Sequence, residues 1–472
     1  MDANSAQGKS NARGRALVDY IAGARKRRFP PEVVNEAKRA LLDILGVSIG
    51  AIDEAPVAAV RAAAESWNAT GNALIFLGRR TTPALAALVN GTMAHAMDYD
   101  DSHPNGAGHP SAVCWPTALA LAGTPGLNEQ TILAAFITGS EVMGKLGGGG
   151  MPGVGRTLQR RGFHPTSIFG RVGAAAVASV ILDLTESQIS SALGVAATTA
   201  GGLVGSFGTH GKPFHAGKAG MDGILAAQLA ANGFVAASHL YEIDDGLLKA
   251  IIQDGQVEVP PLDFESRWEI LGNGFKPYAS CRATHASIQL ARELAPAVKG
   301  RKIARVHARV HPHALVTEID AKTPLEGKFS TRFCIALGLR DYRLVASDFS
   351  DAAMADPAVT ELLPLIELEA VPGQHNYTAY MDVYLESGER LHAGVERCLG
   401  HPDNPLSWED LKVKFEGLVE PVLGAAKAAE LYRGAHDFER PGSLQRLMRM
   451  LENGARDFRA AAAPRTLAQQ AS

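Results

Sequence analysis

The sequence has few cysteines, no long apolar run and no concentration of basic residues, and each shortage argues against a class of protein. The four cysteines among 472 residues are far apart and form no CxxC pair, which argues against a disulfide framework and a structural zinc site. No uninterrupted apolar run reaches the roughly 18–20 residues of a membrane-spanning helix, and residues 1–15 lack the apolar core of a signal peptide. The net charge of −3, without a dense Lys/Arg array, gives no indication of nucleic-acid binding. We expect a cytoplasmic protein with no membrane or nucleic-acid partner.

Hydrophobic residues make up 46% of the chain and charged residues 20%, which is typical of a globular protein with ample core material. A chain of 472 residues is too long for one ordinary core, so we expect two or three domains. Apolar residues recur at helical spacing through the first half. The predicted helices cover residues 31–45, 56–67, 82–97, 112–122, 129–146, 166–184, 186–200 and 216–232.

The pattern changes near residue 257, where Val-Glu-Val-Pro-Pro at 257–261 predicts an extended connector. Beyond it, alternation predicts strands, and helices are predicted between and after them. The strands are predicted at 305–311, 380–386 and 390–395, and the helices at 283–298, 329–339, 357–367 and 407–462. The predicted fold is mainly α: a large all-α helical domain at 1–260, completed by C-terminal helices at 405–462, a smaller α+β domain at 261–400, and a disordered tail at 463–472.

One short window, 95–111, concentrates ionisable side chains between two segments that are predicted to be buried helices. It contains His95, Asp98, Asp100, Asp101, Ser102, His103 and His109. Carboxylates and imidazoles between buried helices should have perturbed pKa values, which acid–base chemistry requires. The alternative is a solvated loop in which an Asp caps a helix and the His side chains lie on the surface.

Two further stretches carry unusual chemistry in the first half. His164 precedes a long apolar helix, where the alternative is a helix-entry loop with Thr166 as the N-cap. The glycine-rich segment 201–215 contains Lys212, but its spacing is wrong for a phosphate loop, and Pro213 stands where that motif has Ser or Thr. A permissive backbone can still approach a ligand there, with Lys212 supplying a positive charge for an anion.

The last stretch, 275–285, lies near the predicted domain boundary, where ligand clefts tend to occur. Lys276 and Arg282 could bind carboxylates there, Arg282 in bidentate fashion. The alternative is a helix start with a basic first turn, but the helix dipole disfavours cations at that end. We therefore favour a ligand-binding role.

These stretches together carry a resemblance to a known family. They read His-Ala-Met-Asp-Tyr-Asp-Asp at 95–101, Gly-Phe-His-Pro-Thr at 162–166, Lys-Pro-Phe-His-Ala-Gly-Lys-Ala at 212–219, Lys-Pro-Tyr-Ala-Ser-Cys-Arg at 276–282 and Lys-Phe-Ser at 328–330. In this order, over about residues 15–450, they resemble the MmgE/PrpD family, which includes 2-methylcitrate dehydratase, cis-aconitate decarboxylase and iminodisuccinate epimerase. The resemblance implies a large helical domain with a smaller α+β lid domain, a homodimer, and no metal or organic cofactor.

Motif by motif, the resemblance implies active-site residues at Asp98, Ser102, His109, His164, Lys212 and Lys276. We expect catalysis from Asp98, His109 and His164. We expect substrate binding by Ser102, Lys212, Lys276, Arg282 and Cys281. The decarboxylase branch has an active-site His where this chain has Cys281, and a Tyr where it has Phe333. These departures put decarboxylation in doubt without choosing between dehydration and epimerisation.

The chemistry that the family members share is proton movement at a carbon next to a carboxylate, which needs a placed base and stabilisation of enolate-like charge. We expect 2-methylcitrate dehydratase-like loss of water from a small di- or tricarboxylate, with Asp98 or His164 as base and His109 as acid. Epimerisation of an iminodisuccinate-like dicarboxylate and cis-aconitate-type decarboxylation are the alternatives within the family.

Two alternatives belong to other classes of protein. One is a metal-dependent hydrolase with His95, Asp98, Asp101, His103 and His109 as ligands, because imidazole and carboxylate suit such a site. The other is a non-catalytic homologue that acts as a binding or scaffold protein. The presence of all the Lys and His positions of the motifs argues against that second alternative.

Overall fold

Helices form most of the protein, in a computed structural model that describes residues 11–106, 108–148, 154–242, 246–253, 259, 261–316 and 318–452. This confirms the mainly α fold predicted from the sequence. The predicted tail at 463–472, residues 453–462 of the predicted C-terminal helices and most of the predicted connector lie outside the described residues. Among the described residues, no helix combines the length and the apolarity that crossing a membrane requires.

The first part of the chain contains eleven described helices and one short strand pair. They are α1 (Ala12–Ala22), α2 (Pro31–Gly50), α3 (Ala55–Ser66), β1 (Ala73–Leu74), β2 (Arg80–Thr81), α4 (Pro83–His95), α5 (Pro110–Ala120), α6 (Glu129–Leu146), α7 (Val154–Arg160), α8 (Pro165–Ile181), α9 (Glu186–Thr198), α10 (Gly211–Ala231) and α11 (Leu247–Ile252). Helices α2, α4, α5 and α8 begin at a proline, whose missing N–H would have no partner in the first turn.

Helix α10 begins at Gly211, five residues before the predicted start at 216. Lys212 therefore lies in the first turn of a helix and not on a glycine-rich loop. Pro213 is compatible with this start because the first turn needs no intrahelical N–H donor at that point.

Helices α4 and α10 cross at two glycines, and this crossing positions the site. A Cβ built on Gly217 would lie 2.0 Å from the Leu88 carbonyl oxygen, and one on Gly91 would lie 2.7 Å from the Gly217 Cα. Any side chain here would push the helices apart. The close crossing places the C-terminal end of α4, at His95, beside the N-terminal turn of α10, at Lys212.

The second part packs short helices on a four-stranded sheet with strand order β4-β3-β5-β6. The elements are α12 (His285–Val298), β3 (Ile303–Val310), α13 (Pro312–Val316), α14 (Pro324–Gly327), α15 (Thr331–Leu339), α16 (Asp351–Ala355), α17 (Pro357–Thr360), β4 (Ile366–Ala370), β5 (Ala379–Leu385) and β6 (Arg390–Val395). Strand β3 pairs parallel with β4 and antiparallel with β5, while β5 and β6 form the predicted hairpin.

The helix predicted at 357–367 is wrong over its second half. Helix α17 ends at Thr360, and Ile366 begins strand β4, in register with Val306 of β3. Pro364 lies in a short 3₁₀ turn at Leu363–Leu365, where it cannot donate the N–H that a continuing helix needs. Pairing with β3 then determines the structure of the residues that follow.

Three C-terminal helices, α18 (Trp408–Leu423), α19 (Ala425–His436) and α20 (Ser443–Glu452), return to the first part of the chain, where α18 and α19 pack on α2. Lys414 of α18 bonds the Asp43 carboxylate of α2 at 2.6 Å and the Tyr99 carbonyl at 2.6 Å. The C-terminal helix α18 therefore contacts the window 95–111 and links it to α2 through Lys414.

Candidate active site

The window 95–111 joins α4 to α5 and is bonded to the second part of the chain along its length. Ser102 and Gly274 exchange backbone hydrogen bonds of 2.9 and 3.0 Å. The Tyr99 hydroxyl donates to the Pro277 carbonyl at 2.9 Å, and Lys328 Nζ donates to the Met97 carbonyl at 3.0 Å. These bonds bring the predicted boundary stretch 275–285 against the window.

Asp98 lies buried between two lysines. Its Oδ1 is 2.6 Å from Lys212 Nζ and 3.0 Å from Lys276 Nζ, and Lys276 also donates to the Asp98 carbonyl at 2.7 Å. Burial alone would raise the pKa of Asp98, but the two ammonium groups outweigh it and hold the pKa far below the usual range. Such a carboxylate is a weak base, so the geometry favours Asp98 as the partner that orients the lysines.

Each of the two ammonium groups has one N–H left for a ligand. Lys212 Nζ, besides its bond to Asp98, lies 3.0 Å from His95 Nε2. Lys276 Nζ donates to the Asp98 carbonyl and forms an ion pair with the Asp98 carboxylate. An ammonium has three N–H donors, so one remains on each. Both lysines line the cavity described below, which makes them suited to hold a carboxylate.

A second buried carboxylate, Asp100, joins two histidines. Its oxygens lie 3.0 Å from His95 Nδ1 and 2.9 Å from His109 Nδ1, which is also 2.6 Å from the Asp101 carbonyl. These acceptors assign the imidazole proton of each ring to Nδ1 and leave a lone pair on Nε2. In His95 that lone pair accepts from Lys212.

His109 lines the cavity, and its Nε2 lone pair is the one that the contacts described above leave available for a ligand. Burial lowers the pKa of His109, and the Asp100 carboxylate opposes the shift without cancelling it. His109 is therefore an unprotonated imidazole at neutral pH that a carboxylate orients. This arrangement favours His109 as a general base, whereas the sequence suggested it as the acid.

His164 precedes the first turn of α8, and its Nδ1 lies 3.1 Å from His215 Nδ1. Burial and the nearby Lys212 charge lower the pKa of His164 well below the usual value. One ring of this pair donates and the other accepts. His164 therefore contributes a neutral imidazole, packed edge-on to Phe207 at 5.0 Å between ring centroids.

The structure places all eight predicted site residues around one cavity of about 70 Å³. They are Asp98, Ser102, His109, His164, Lys212, Lys276, Cys281 and Arg282. Arg282 Nε donates to Ser102 Oγ at 3.1 Å, and its Nη2 donates to the Gly274 carbonyl at 2.8 Å. Their catalytic and binding roles stay predictions.

The cavity also contains residues that the sequence did not assign, among them Arg156 and Tyr377. With Lys212, Lys276 and Arg282, Arg156 brings the lining to four cationic side chains against one carboxylate among the residues that the structure describes. Such an excess of positive charge suits a polyanionic ligand. No sequence signal pointed to Arg156 and Tyr377, because they come from segments without a recognisable motif. The position of Asp100 between His95 and His109 was a signal that could have predicted its contact with both histidines.

The two departures from the decarboxylase pattern lie in different places. Cys281 lines the cavity, and its amide donates to the Lys328 carbonyl at 2.7 Å. Phe333 is instead buried against Phe349, at 6.4 Å between ring centroids, and is absent from the cavity lining. The Phe333 difference is therefore one of packing, while the Cys281 difference changes the cavity wall.

The metal ligand set predicted for a hydrolase does not come together. His103 Nε2 pairs with Glu269 at 3.1 Å, and the Asp101 carboxylate accepts from Ser111 and Asn273. A different trio, His95, Asp100 and His109, has its ligand atoms within 4.8 Å of one another. Those atoms already bond each other, and the Lys212 ammonium 3.0 Å from His95 Nε2 would repel a cation. The residues present therefore fit a metal ion poorly.

Comparison with known proteins places this site in its family context. The MmgE/PrpD N-terminal domain profile matches residues 15–260, and the MmgE/PrpD C-terminal domain profile matches residues 278–437. The cis-aconitate decarboxylases of Mus musculus and Homo sapiens are each 28% identical, over 436 and 435 residues, covering 86% of this chain and 87% and 88% of theirs. The cis-aconitate decarboxylase of Aspergillus terreus is 24% identical over 390 residues, covering 76% of this chain and 79% of its own.

Proposed function

This chain belongs to the MmgE/PrpD family, and we propose that it is a lyase that removes a proton next to a carboxylate of a small di- or tricarboxylate and expels water. The proposed reaction resembles that of 2-methylcitrate dehydratase and uses no cofactor. The family membership and the enzymes among its relatives support a lyase acting on carboxylates. The choice of dehydration is our own.

The observation that carries the proposed proton removal is the state of His109. Its Nδ1 is 2.9 Å from Asp100, its pKa is lowered by burial, and its ring lines the same cavity as the two lysines. A base held beside two ammonium groups suits removal of a weakly acidic α-proton, because the lysines stabilise the charge that develops on the carboxylate.

The steps follow from these positions. Lys212 and Lys276 bind the carboxylate next to the reacting carbon through their remaining N–H groups. His109 Nε2 takes the α-proton, and the electron pair moves into the enolate-like carboxylate. The pair then forms the carbon–carbon double bond as the β C–O bond breaks. His109 Nε2 then gives the proton that it took to the departing hydroxide, which leaves as water, and the imidazole is neutral again.

Decarboxylation is the second candidate, because the curated relatives in mouse and human are named cis-aconitate decarboxylases and cover 86% of this chain. Loss of CO₂ leaves a carbanion that needs a proton donor. His109 and His164, the two cavity imidazoles with a predicted catalytic role, are both unprotonated here. Together with Cys281 in the wall, this favours proton removal over proton delivery. Epimerisation would share the first step and return the proton to the opposite face.

Deuterium incorporation tests the proposal. The purified protein is incubated in D₂O with methylcitrate, citrate, cis-aconitate or iminodisuccinate, and deuterium at the α-carbon is followed by NMR. We expect incorporation into the hydroxy acid in the hydration direction, or into epimerised product. His109→Gln should reduce it by about 10²-fold or more, the scale of a general base, and Asp98→Asn and His164→Gln test the other two predicted catalytic residues. Turnover without deuterium at carbon would contradict this reaction class.

We further propose the division into a helical domain at 1–260, completed by 405–462, and an α+β lid domain at 261–400, with a homodimer as the assembly. The position of the cavity between residues of both parts supports the division. Light scattering of the purified chain measures the assembly, and a monomeric mass would contradict the homodimer.

A further inference from the structure

A second, larger chamber adjoins the cavity of the site and shares part of its lining. The inner cavity has a volume of about 70 Å³ and the outer chamber about 940 Å³. Six described residues line both and form the neck between them: Pro104, Arg156, Gln159, Phe207, His313 and Asn376. No Asp or Glu is among the described residues that line the outer chamber.

Arg156 is the one permanently charged side chain at this neck, and it lacks a counterion among the described residues. Its guanidinium donates to the Pro104 carbonyl at 2.8 Å and to the Gln159 amide oxygen at 3.2 Å, both of them neutral. Lys212 and Lys276, by contrast, are each paired with Asp98. A half-buried cation without a carboxylate partner is costly, so a bound anion is the natural partner of Arg156.

A second group at the inner end of the neck also lacks a regular partner. The Tyr377 hydroxyl is buried, with 1% of the residue exposed, and lies near Ser102 without making a regular hydrogen bond among the described residues. Tyr377 lines the inner cavity, as Arg156 does. A phenol and a guanidinium are both hydrogen-bond donors, the groups that a carboxylate accepts from.

The histidines around the neck do not supply charge. Burial and the neighbouring Arg156 lower the pKa of His311 to about 4 and that of His313 to about 3. Both rings are neutral at pH 7. Arg156 and the exposed Arg160 are then the charged groups among the described residues of the outer chamber.

We infer that Arg156 and Tyr377 form a second anion subsite, which binds the carboxylate farthest from the reacting carbon and makes tricarboxylates the preferred substrates. The inference rests on the proposed function for its orientation: the reacting end lies at Lys212 and Lys276. Arg156 and Tyr377 line the same inner cavity as the two lysines, so a tricarboxylate held by the lysines can direct its distal carboxylate to this pair. A dicarboxylate without that group leaves Arg156 without an anion.

Two unreactive probes test this subsite by calorimetry. Tricarballylate carries three carboxylates, and methylsuccinate has a methyl group in place of one terminal carboxymethyl group. Arg156→Gln should weaken tricarballylate binding by about 10- to 100-fold, the range for a hydrogen bond to a charged group. It should change methylsuccinate binding by less than about threefold. Tyr377→Phe should show the same selectivity, again at about 10- to 100-fold, because its hydroxyl would also donate to a charged carboxylate.

Arg160→Gln is the matched control, because Arg160 lines the outer chamber only, is exposed and donates to Thr157 Oγ1 at 2.7 Å. It should bind both probes as wild type does. Retained methylsuccinate binding reports an intact fold in each variant. Equal weakening of both probes by Arg156→Gln, or no weakening, would overturn the subsite. Wild-type protein that binds both probes equally, or neither, would also overturn it. Binding needs no turnover, so this outcome is independent of the deuterium experiment.

Discussion

Replacing Asp100 by asparagine isolates the role of the carboxylate that joins His95 and His109. The carboxylate accepts an N–H from each ring, at 3.0 and 2.9 Å from the two Nδ1 atoms. An asparagine of the same size offers one acceptor oxygen and one donor amide. It can therefore satisfy only one of the two rings in its present tautomer.

The neighbouring contacts determine which ring loses its orientation. His95 Nε2 lies 3.0 Å from the Lys212 ammonium, which can only donate, so the His95 proton must stay on Nδ1. The amide N–H₂ then faces His109 Nδ1. That ring either moves its proton to Nε2, which removes the base, or keeps its bond to the Asp101 carbonyl against a repelling donor.

These two outcomes set the expected magnitude. Loss of a charge-assisted hydrogen bond alone corresponds to about 10- to 100-fold, and a wrong tautomer of a catalytic histidine to about 10⁴-fold. We expect kcat of Asp100→Asn to fall by about 10²–10⁴-fold in the D₂O and NMR assay. The Asp100 carboxylate raises the His109 pKa against burial, so its removal should also shift the acid limb of kcat/KM to lower pH.

Asp101→Asn is the matched control at the adjacent position. Burial raises the pKa of Asp101 to about 8, so its side chain is largely protonated at pH 7, and it bonds Ser111 and Asn273 rather than a histidine. Its backbone carbonyl, which His109 contacts, is unchanged by the substitution. We expect kcat within a few-fold of wild type. A folded Asp100→Asn protein with near-normal kcat and an unmoved acid limb would refute the base assignment.

Three further outcomes are expected. Lys212→Met should lower kcat/KM by about 10²–10³-fold in steady-state assays, because it removes a charge that stabilises the enolate. Lys218→Met on the same helix, which removes a half-buried ion pair with Asp222, should not lower kcat/KM to this extent, and equal losses would contradict the role of Lys212 in binding the carboxylate. In wild type, kcat/KM should stay constant as the pH falls from 7 and should decline only below about pH 6.5, the ordinary pKa of histidine, because burial lowers the pKa of His109 and keeps it unprotonated down to that pH. A decline centred above pH 7 would contradict the assignment of His109 as the base. Lys414→Met should reduce the free energy of unfolding in urea by about 3–5 kcal/mol, since it leaves Asp43 buried without the partner that lies 2.6 Å away. Adding Asp43→Asn should restore part of that free energy, and a further loss in the double variant would show that the pair does not act as a unit.

Local pattern was sufficient for most elements of the fold. Apolar spacing and first-turn prolines predicted α2 to α6, α8 and α9, because those signals act within a few residues of the positions they determine, whereas the short helix α7 was not predicted. The residue types of the site were also visible, since carboxylates, imidazoles and lysines are rare in such apolar surroundings. The early start of α10 and the strand β4 were missed, because helix packing and pairing with β3 fixed them from a distance.

The chemistry of the three aspartates in the window 95–111 could be decided only by the tertiary structure. Asp98 bonds two lysines more than 100 residues away in sequence, Asp100 bonds two histidines, and Asp101 bonds Ser111 and Asn273. The same side chain in one short window thus has a pKa far below the usual range at Asp98 and Asp100, and about 8 at Asp101. The sequence determined which groups were present. Burial and the charges that folding brought beside each carboxylate determined which would be ionised, because a pKa depends on the surroundings in space and not on neighbours along the chain.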